Sequence, residues 1–317
     1  MNYADLLRQY WQDAQAERAP DAPTVISTFA GGGGSSTGYH MAGYRELLAV
    51  EWDDHACETL RLNYPKLPIW KGDITNLSVS EVLERTNLKA GELDLLDGSP
   101  PCQGFSTAGH RMLDDPRNQL FREYTRLLQE IRPRTFVMEN VSGMVKGKMK
   151  LIFIDILTEL KACGYQVSAR LMDAQYFNVP QIRQRLIFIG VRDDLGIQPS
   201  HPRPQSQPIA ANEAIPGFTG EMITAGNERH TLAGRRKLSP PSRPSPTITA
   251  TRAHISYFQD GIPKIFTINE IKRLGAFPDE YILTGSEIKQ WRRIGNSVPP
   301  LMARAIGLHI RETILKK

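Results

Sequence analysis

Between residues 24 and 191, short apolar runs alternate with amphipathic stretches, and this alternation restricts the possible folds more than any other feature of the chain. The runs are Thr24–Phe29, Leu47–Glu51, Leu93–Asp97, Thr135–Met138, Gln166–Leu171 and Leu186–Val191. Near-continuous apolar runs of this length read as strands buried on both faces. Helical patterns lie between them. Asp115 suits a cap and Pro116 a first turn, ahead of Leu120, Phe121, Tyr124, Leu127, Leu128 and Ile131 on one helical face. Phe153, Ile156, Leu157 and Leu160 mark another helix, with Gly164 where a stop is expected. Strands alternating with helices predict an α/β fold with a mostly parallel sheet covered on both faces. At 317 residues the chain is long enough for that core and one smaller domain. Ahead of the sheet, Leu6, Leu7, Tyr10, Trp11 and Ala14 form the apolar stripe of a short helix in an N-terminal extension, residues 1–23.

The alternation stops near residue 195. Residues 199–246 hold nine of the 22 prolines, which excludes long regular elements there. Arg229, Arg235, Arg236, Lys237, Arg243 and Arg252 make the same region basic. Residues 196–264 are therefore expected to form a small loop-rich domain beside a domain of residues 1–195. Regular structure resumes over 265–317. Thr267-Ile268-Asn269-Glu270 has the form of a capping box, and Pro300–Ile314 has a helical pattern.

Hydrophobic residues at 40% and charged residues at 23% are ordinary for a globular protein. No apolar stretch approaches a membrane span, and the N-terminus resembles neither a secretory signal nor a transit peptide. Cys57, Cys102 and Cys163 are odd in number and widely spaced, which argues against a disulfide framework and for a reducing cytoplasm. They also lack the paired spacing of a zinc site, so no metal is expected. A net charge of +5 permits a polyanionic partner without requiring one.

Two segments carry candidate chemistry. Asp97-Gly98-Ser99-Pro100-Pro101-Cys102 follows an apolar run, and its two prolines force the chain out of the sheet in an extended loop. Cys102 is thereby presented at the carboxyl edge, where open α/β sheets place their ligands. Glu139-Asn140-Val141 leaves the sheet in the same way. A lone cysteine after a strand is most often a small buried hydrophobe. A thiol and a carboxyl group at one sheet edge instead suggest covalent catalysis assisted by an acid. The second segment, Phe29-Ala30-Gly31-Gly32-Gly33-Gly34, lets a ligand approach the backbone at the head of a helix. Ser36 and Thr37 stand where a dinucleotide motif requires its third glycine. Glu51 can accept from ribose hydroxyls, Trp52 can cover a purine, and Asp73 can accept from an exocyclic amine. An adenosine-containing cofactor fits these groups.

In this order the residues resemble the DNA (cytosine-5)-methyltransferases, which use S-adenosyl-L-methionine, and the likeness covers most of the chain. Phe29–Gly34 looks like the family's cofactor loop, Glu51-Trp52 its ribose and adenine site, and Asp73-Ile74 its adenine edge. Pro101-Cys102-Gln103 matches the nucleophile motif and Glu139-Asn140-Val141 the acid motif. Gln181-Ile182-Arg183-Gln184-Arg185 matches Gln-x-Arg-x-Arg, Arg243–Thr249 is similar to a late motif, and Gly295-Asn296-Ser297-Val298-Pro299 resembles the last one. The resemblance implies a Rossmann-like S-adenosylmethionine-dependent methyltransferase fold with a small target-recognition domain. It implies methyl transfer to carbon 5 of cytosine in a specific double-stranded DNA sequence, leaving S-adenosyl-L-homocysteine. It places Phe29, Ala30, Gly31, Gly33, Gly34, Glu51, Trp52, Asp73, Ile74, Ser99, Pro101, Leu120, Asn296, Ser297 and Val298 at the cofactor.

In such a mechanism the Cys102 thiolate adds to carbon 6 and turns the ring into an enamine that can attack the methyl group. Glu139 holds N3 and the amino group and balances the developing charge, for which burial must favour its neutral form. Arg185 donates to O2, Arg183 orders the catalytic loop or a phosphate, and Asn140 fixes the loop bearing Cys102. A stacked base cannot expose carbon 6, so it must be extruded. Residues 103–121 suit a loop that closes over it. Gln103, Ser106, Arg229, Arg235, Arg236, Lys237, Arg243 and Arg252 are the candidate DNA contacts. A cognate restriction endonuclease is a possible partner of the same system, with no stable contact implied. The recognition segment is short, which leaves open a second subunit that completes it. An RNA cytosine-5 methyltransferase on the same scaffold also stays open, and the missing third glycine disfavours a nicotinamide oxidoreductase.

Overall fold

Neighbouring residues of each central strand feed two different hydrophobic layers, and this two-sided burial sets the architecture. The computed structural model describes residues 2–101, 119–145, 147, 149–223, 238–252 and 256–316. Helix α1 (Tyr3–Gln15) precedes β1 (Thr24–Thr28), α2 (Gly34–Met41), β2 (Arg45–Glu51), α3 (Asp54–Asn63), β3 (Ile69–Lys71) and α4 (Val79–Thr86). The chain continues through β4 (Leu95–Gly98), α5 (Gln119–Ile131), β5 (Thr135–Val141), α6 (Met149–Ala162), β6 (Tyr165–Asp173) and β7 (Gln184–Arg192). Val25, Ala49, Leu95, Val137 and Ile187 face one layer, with side chains of α1 and α2. Ile26, Leu48, Leu96, Phe136, Met138 and Phe188 face the other, with α4, α5 and α6. Each such side chain, fully buried, contributes roughly 1.5–3 kcal/mol.

The seven strands run in the order β3-β2-β1-β4-β5-β7-β6. Pairings from β3 to β5 are parallel, whereas β7 is antiparallel to both β5 and β6. The mostly parallel α/β reading holds, with two differences. The three-residue β3 is too short to show a hydrophobic pattern, and the direction of β7 is not written in its apolar run. Strand order reverses beside β1: the chain goes outward to β2 and β3, then returns to β4 on the other side. The loops after β1 and β4 therefore flank one crevice, the usual ligand position in such sheets.

From 196 to 264 the described residues hold one four-residue helix, α7 (Ala211–Ala214), and strands of two or three residues. These are β8 (Glu221–Ile223), β9 (Leu238–Ser239), β10 (Tyr257–Gln259) and β11 (Ile262–Lys264), ordered β11-β10-β8-β9 in a second, antiparallel sheet. Phe218, Tyr257 and Phe266 pack ring against ring beneath it, with centroids 4.7–5.4 Å apart. Helices α8 (Ile268–Leu274), α9 (Glu287–Asn296) and α10 (Pro300–Ile310) complete the chain. The capping box forms as its sequence predicts: Thr267 Oγ1 accepts from the Glu270 N–H and the Glu270 carboxylate accepts from the Thr267 N–H. Helix α10 packs on the first sheet's α2 side, through Leu301, Met302, Ala305 and Ile306. No helix among the described residues is long and apolar enough to cross a membrane.

Candidate active site

A cavity of about 1100 Å³ opens at the crevice. Segments that are distant in sequence line it, because they leave the carboxyl edge of the sheet or return to it. The β1 loop supplies Phe29, Ala30, Gly31, Gly32, Gly34 and Ser35, the end of β2 supplies Glu51, Trp52, Asp53 and Asp54, and the turn after β3 supplies Gly72, Asp73 and Ile74. Ser99, Pro100 and Pro101 come from β4, with Leu120 of α5 beside them. Glu139, Asn140, Val141 and Arg185 form the wall at β5 and β7, and Lys289, Arg292, Arg293, Asn296, Ser297 and Val298 come from α9 and its end.

The glycine loop serves two purposes. At Gly31, φ is +54° and no atom would crowd an added Cβ closer than 3.8 Å, so this backbone lies open to the cavity. At Gly34 a Cβ would overlap the Val298 carbonyl oxygen and lie 2.8 Å from Ser297 Cβ. That glycine admits the C-terminal segment to the loop. Gly33 is not among the residues that line the cavity, and an added Cβ there would meet the Tyr281 hydroxyl and Leu60.

Glu51 holds this loop in place. Its Oε2 accepts from the Gly31 N–H at 2.6 Å, and its Oε1 accepts from the Trp52 and Asp53 N–H groups at 2.9 Å. A carboxylate offers about four acceptor sites, so capacity remains toward the cavity. Trp52 is 74% exposed on the cavity lip and is no core aromatic. Asp73 caps a short 3-10 turn through Oδ1, which accepts from the Thr75 N–H and hydroxyl.

Glu139 and Arg185 meet across β5 and β7. Arg185 Nε lies 2.8 Å from Glu139 Oε1, and both side chains are largely buried. The contact is one of charge: the Nε–H is not aimed at an acceptor, while Nη1 donates to the Gln184 carbonyl. Asn140 donates to the Pro100 carbonyl at 3.4 Å and accepts from the Val141 N–H at 2.8 Å, which steadies the chain two residues before Cys102. Cys102 itself, with Gln103, Ser106, Arg229, Arg235, Arg236 and Lys237, lies outside the described residues.

Two of the arginines are engaged within the protein, and a third is exposed. Arg183 is 1% exposed and absent from the cavity wall. Its Nη1 donates to Ile248 O at 2.9 Å, and its Nη2 to Gly295 O at 2.7 Å and Ser297 O at 2.9 Å. Burial lowers this guanidinium to about 9, Arg185 adds to the effect, and Glu139 opposes it. A buried group spent on three carbonyls has no means to reach a phosphate. Arg252 pairs with Glu287 at 2.9 Å, so its charge is engaged within the protein. Arg243 is exposed.

The sequence reading passed over Asp97. It is 4% exposed, its Oδ1 accepts from the Tyr39 hydroxyl at 2.8 Å, and Ser35 of the cavity wall also donates to it. Burial pushes its carboxyl up to about 7, against those two hydrogen bonds and with help from Glu46 and Glu139. A run of charged and polar residues ending a buried strand is the signal that was present. Lys289 and Arg292 were also missed, although their spacing with Asn296 puts all three on one helix face.

The profile of the C-5 cytosine-specific DNA methylase family matches residues 23–216 and 198–312, together nearly the whole chain. The chain belongs to this family. Type II methyltransferase M1.HphI of Haemophilus parahaemolyticus is 32% identical over 332 residues, covering 92% of this chain and 87% of that protein. Type II methyltransferase M.AquIA of Picosynechococcus sp. is 38% identical over 227 residues, covering 69% of this chain and 91% of its own. Among solved structures, a prophage-encoded protein of E. coli superposes with a TM-score of 0.76 at 23% identity, over 93% of this chain and all of that one. S. pombe Dnmt2 methyltransferase superposes with a TM-score of 0.67 at 20% identity, over 92% and 99%. These likenesses support the same Rossmann-like fold. Membership makes this a DNA cytosine-5 methyltransferase scaffold that uses S-adenosylmethionine.

Proposed function

We propose that this protein methylates carbon 5 of an extruded cytosine in a specific duplex DNA sequence, through a transient bond to Cys102. The observation that carries the proposal is convergence. The Glu139–Arg185 pair, the Ser99–Pro101 chain leading to Cys102, and the open Gly31 backbone all line one cavity. Its volume suits a nucleoside-sized cofactor with a base beside it. Gly31, Glu51, Trp52, Asp73 and Ile74 would hold the adenosine end, with Phe29, Ala30, Gly34, Ser99, Pro101, Leu120, Asn296, Ser297 and Val298 around the remainder. When bound, S-adenosylmethionine supplies an electrophilic methyl group on its sulfonium.

The Cys102 thiolate adds to carbon 6, and the displaced electron pair makes carbon 5 nucleophilic while Glu139 shares a proton with N3. Arg185 donates to O2, where charge develops. Once the new carbon–carbon bond has formed, loss of the carbon 5 proton expels the thiolate and restores the ring. Asn140 keeps the Pro100 turn, and so the start of the catalytic loop, against the base site. Residues 196–264 supply target recognition in this reading, with Arg243 free to meet phosphate. The Type II names of the relatives support a role beside a restriction endonuclease.

The test uses a random-sequence duplex pool carrying 5-fluorocytosine, with S-adenosylmethionine present. The wild-type chain should form a denaturation-resistant adduct and Cys102→Ser should not. Methylated unfluorinated product from the wild-type chain, with no adduct on the fluorinated pool, refutes the covalent step. Label appearing in tRNA and never in DNA refutes the substrate.

A further inference from the structure

Helix α9 carries an unmatched pair of cations on the lip of the cavity. Lys289 and Arg292 are both exposed, both line the opening, and share a helix face with Asn296. Two acids beside them are already paired with other cations, and the rest of the described wall offers Lys289 and Arg292 no ion pair. Asp53 pairs with Arg293 at 3.5 Å, Asp54 pairs with Lys71, and Glu51 accepts three backbone N–H groups. Lys289 stands within electrostatic reach of Asp54 without pairing to it. Glu287, the one acid on α9, is taken by Arg252. Lys289 and Arg292 are therefore exposed at the cavity mouth with no acidic side chain paired to them among the described residues.

We propose that Lys289 and Arg292 form a phosphate-binding lip, which the backbone of duplex DNA occupies when the protein is on its substrate. The inference rests on the DNA methyltransferase reading above and adds a contact surface outside the segment 196–264. Charge complementarity selects the occupant: duplex DNA is a polyanion, and two exposed, unpaired cations on one helix face suit its phosphates.

The experiment measures affinity for a random-sequence 30-base-pair duplex against salt concentration, for the wild-type chain and for Lys289→Gln/Arg292→Gln. Each lost phosphate contact should flatten the log–log slope by about 0.9, so the double variant should lose about 1.8. Its S-adenosylmethionine affinity without DNA should change by no more than about twofold, since both cations are exposed and screened at the lip. The single charge reversal Lys289→Glu should flatten the slope by at least as much as Lys289→Gln. An unchanged slope in the double variant overturns the proposal. A tenfold loss of cofactor affinity also overturns it, by assigning the cations to the cofactor's carboxylate. A wild-type chain that shows no salt-dependent duplex binding would instead bring down the functional reading on which this one stands.

Discussion

Asp97 has almost no access to solvent, yet it stands five residues ahead of Cys102 and touches Tyr39 and Ser35 around the cofactor loop. Its carboxyl titrates at about 7 in the folded protein because burial penalises the anion. The unfolded chain titrates near 3.9, so the folded state binds the extra proton between these limits. The stability this contributes is complete below about pH 4, falls as the pH rises toward about 7, and is lost above it. The effect amounts to roughly a few kcal/mol. Urea unfolding midpoints measured from pH 4 to pH 8 should therefore fall more steeply for the wild-type chain than for Asp97→Asn. Parallel curves would show that another group titrates. A second prediction concerns the Glu139–Arg185 pair. Arg185→Ala leaves a largely buried carboxylate without its cation and removes the donor proposed for O2. The expected loss in kcat/KM is about a hundredfold or more, equivalent to roughly 3 kcal/mol. Cofactor affinity measured by calorimetry should change little, because the residues proposed for the adenosine end lie elsewhere in the cavity. Equal losses in cofactor affinity and turnover would remove Arg185 from the base site.

At the scale of the element, the loop between β1 and α2 shows how far residue patterns carry. Four consecutive glycines announced a backbone that something approaches closely, but not what approaches at each position. Gly31 has open space where a side chain would stand, whereas the same position at Gly34 is filled by Ser297 and Val298 from the far end of the chain. No local pattern encodes that contact, since its partner lies more than 260 residues away. The two substitutions should separate accordingly. Gly34→Ala drives a Cβ into a backbone carbonyl and should lower stability by about 1–3 kcal/mol, read as a shift in the urea midpoint. Gly31→Ala meets open space and costs about 1 kcal/mol for its left-handed backbone, so its larger effect should be on cofactor affinity. If Gly34→Ala leaves the midpoint where it was, the loop and the C-terminal segment are not packed as described.

For the whole molecule, the sequence reading found the strands that bury continuous apolar runs and the segments that leave their carboxyl ends. It did so because both are local signals: period and punctuation. What it left open was set by topology. Arg183 stands two residues from Arg185, and alternate strand residues share a face, so the sequence offered it either the catalytic loop or a phosphate. Near the start of β7, however, the chain has not yet joined the regular strand, and Arg183 turns into the protein to meet Ile248, Gly295 and Ser297. Gln181 works beside it, donating to Leu274 O and accepting from the Ile248 N–H. Trp291 Nε1 donates to Thr249 O at 3.0 Å, closing the joint from α9. The segment leading toward the second sheet is thus fastened to the wall of the cofactor cavity by buried side chains. Buried carbonyls that lose their donors cost about 1–3 kcal/mol each, and a lysine cannot replace a guanidinium fork that spans three of them. Arg183→Lys should therefore destabilise the protein by roughly 2–4 kcal/mol and weaken cofactor binding, although residue 183 touches no ligand. Hydrogen exchange should quicken at residues 247–249 and 295–297 and remain slow in β1 and β4. Unchanged exchange at those two segments, with DNA affinity as the only property lost, would return Arg183 to the phosphate-binding role that its burial argues against.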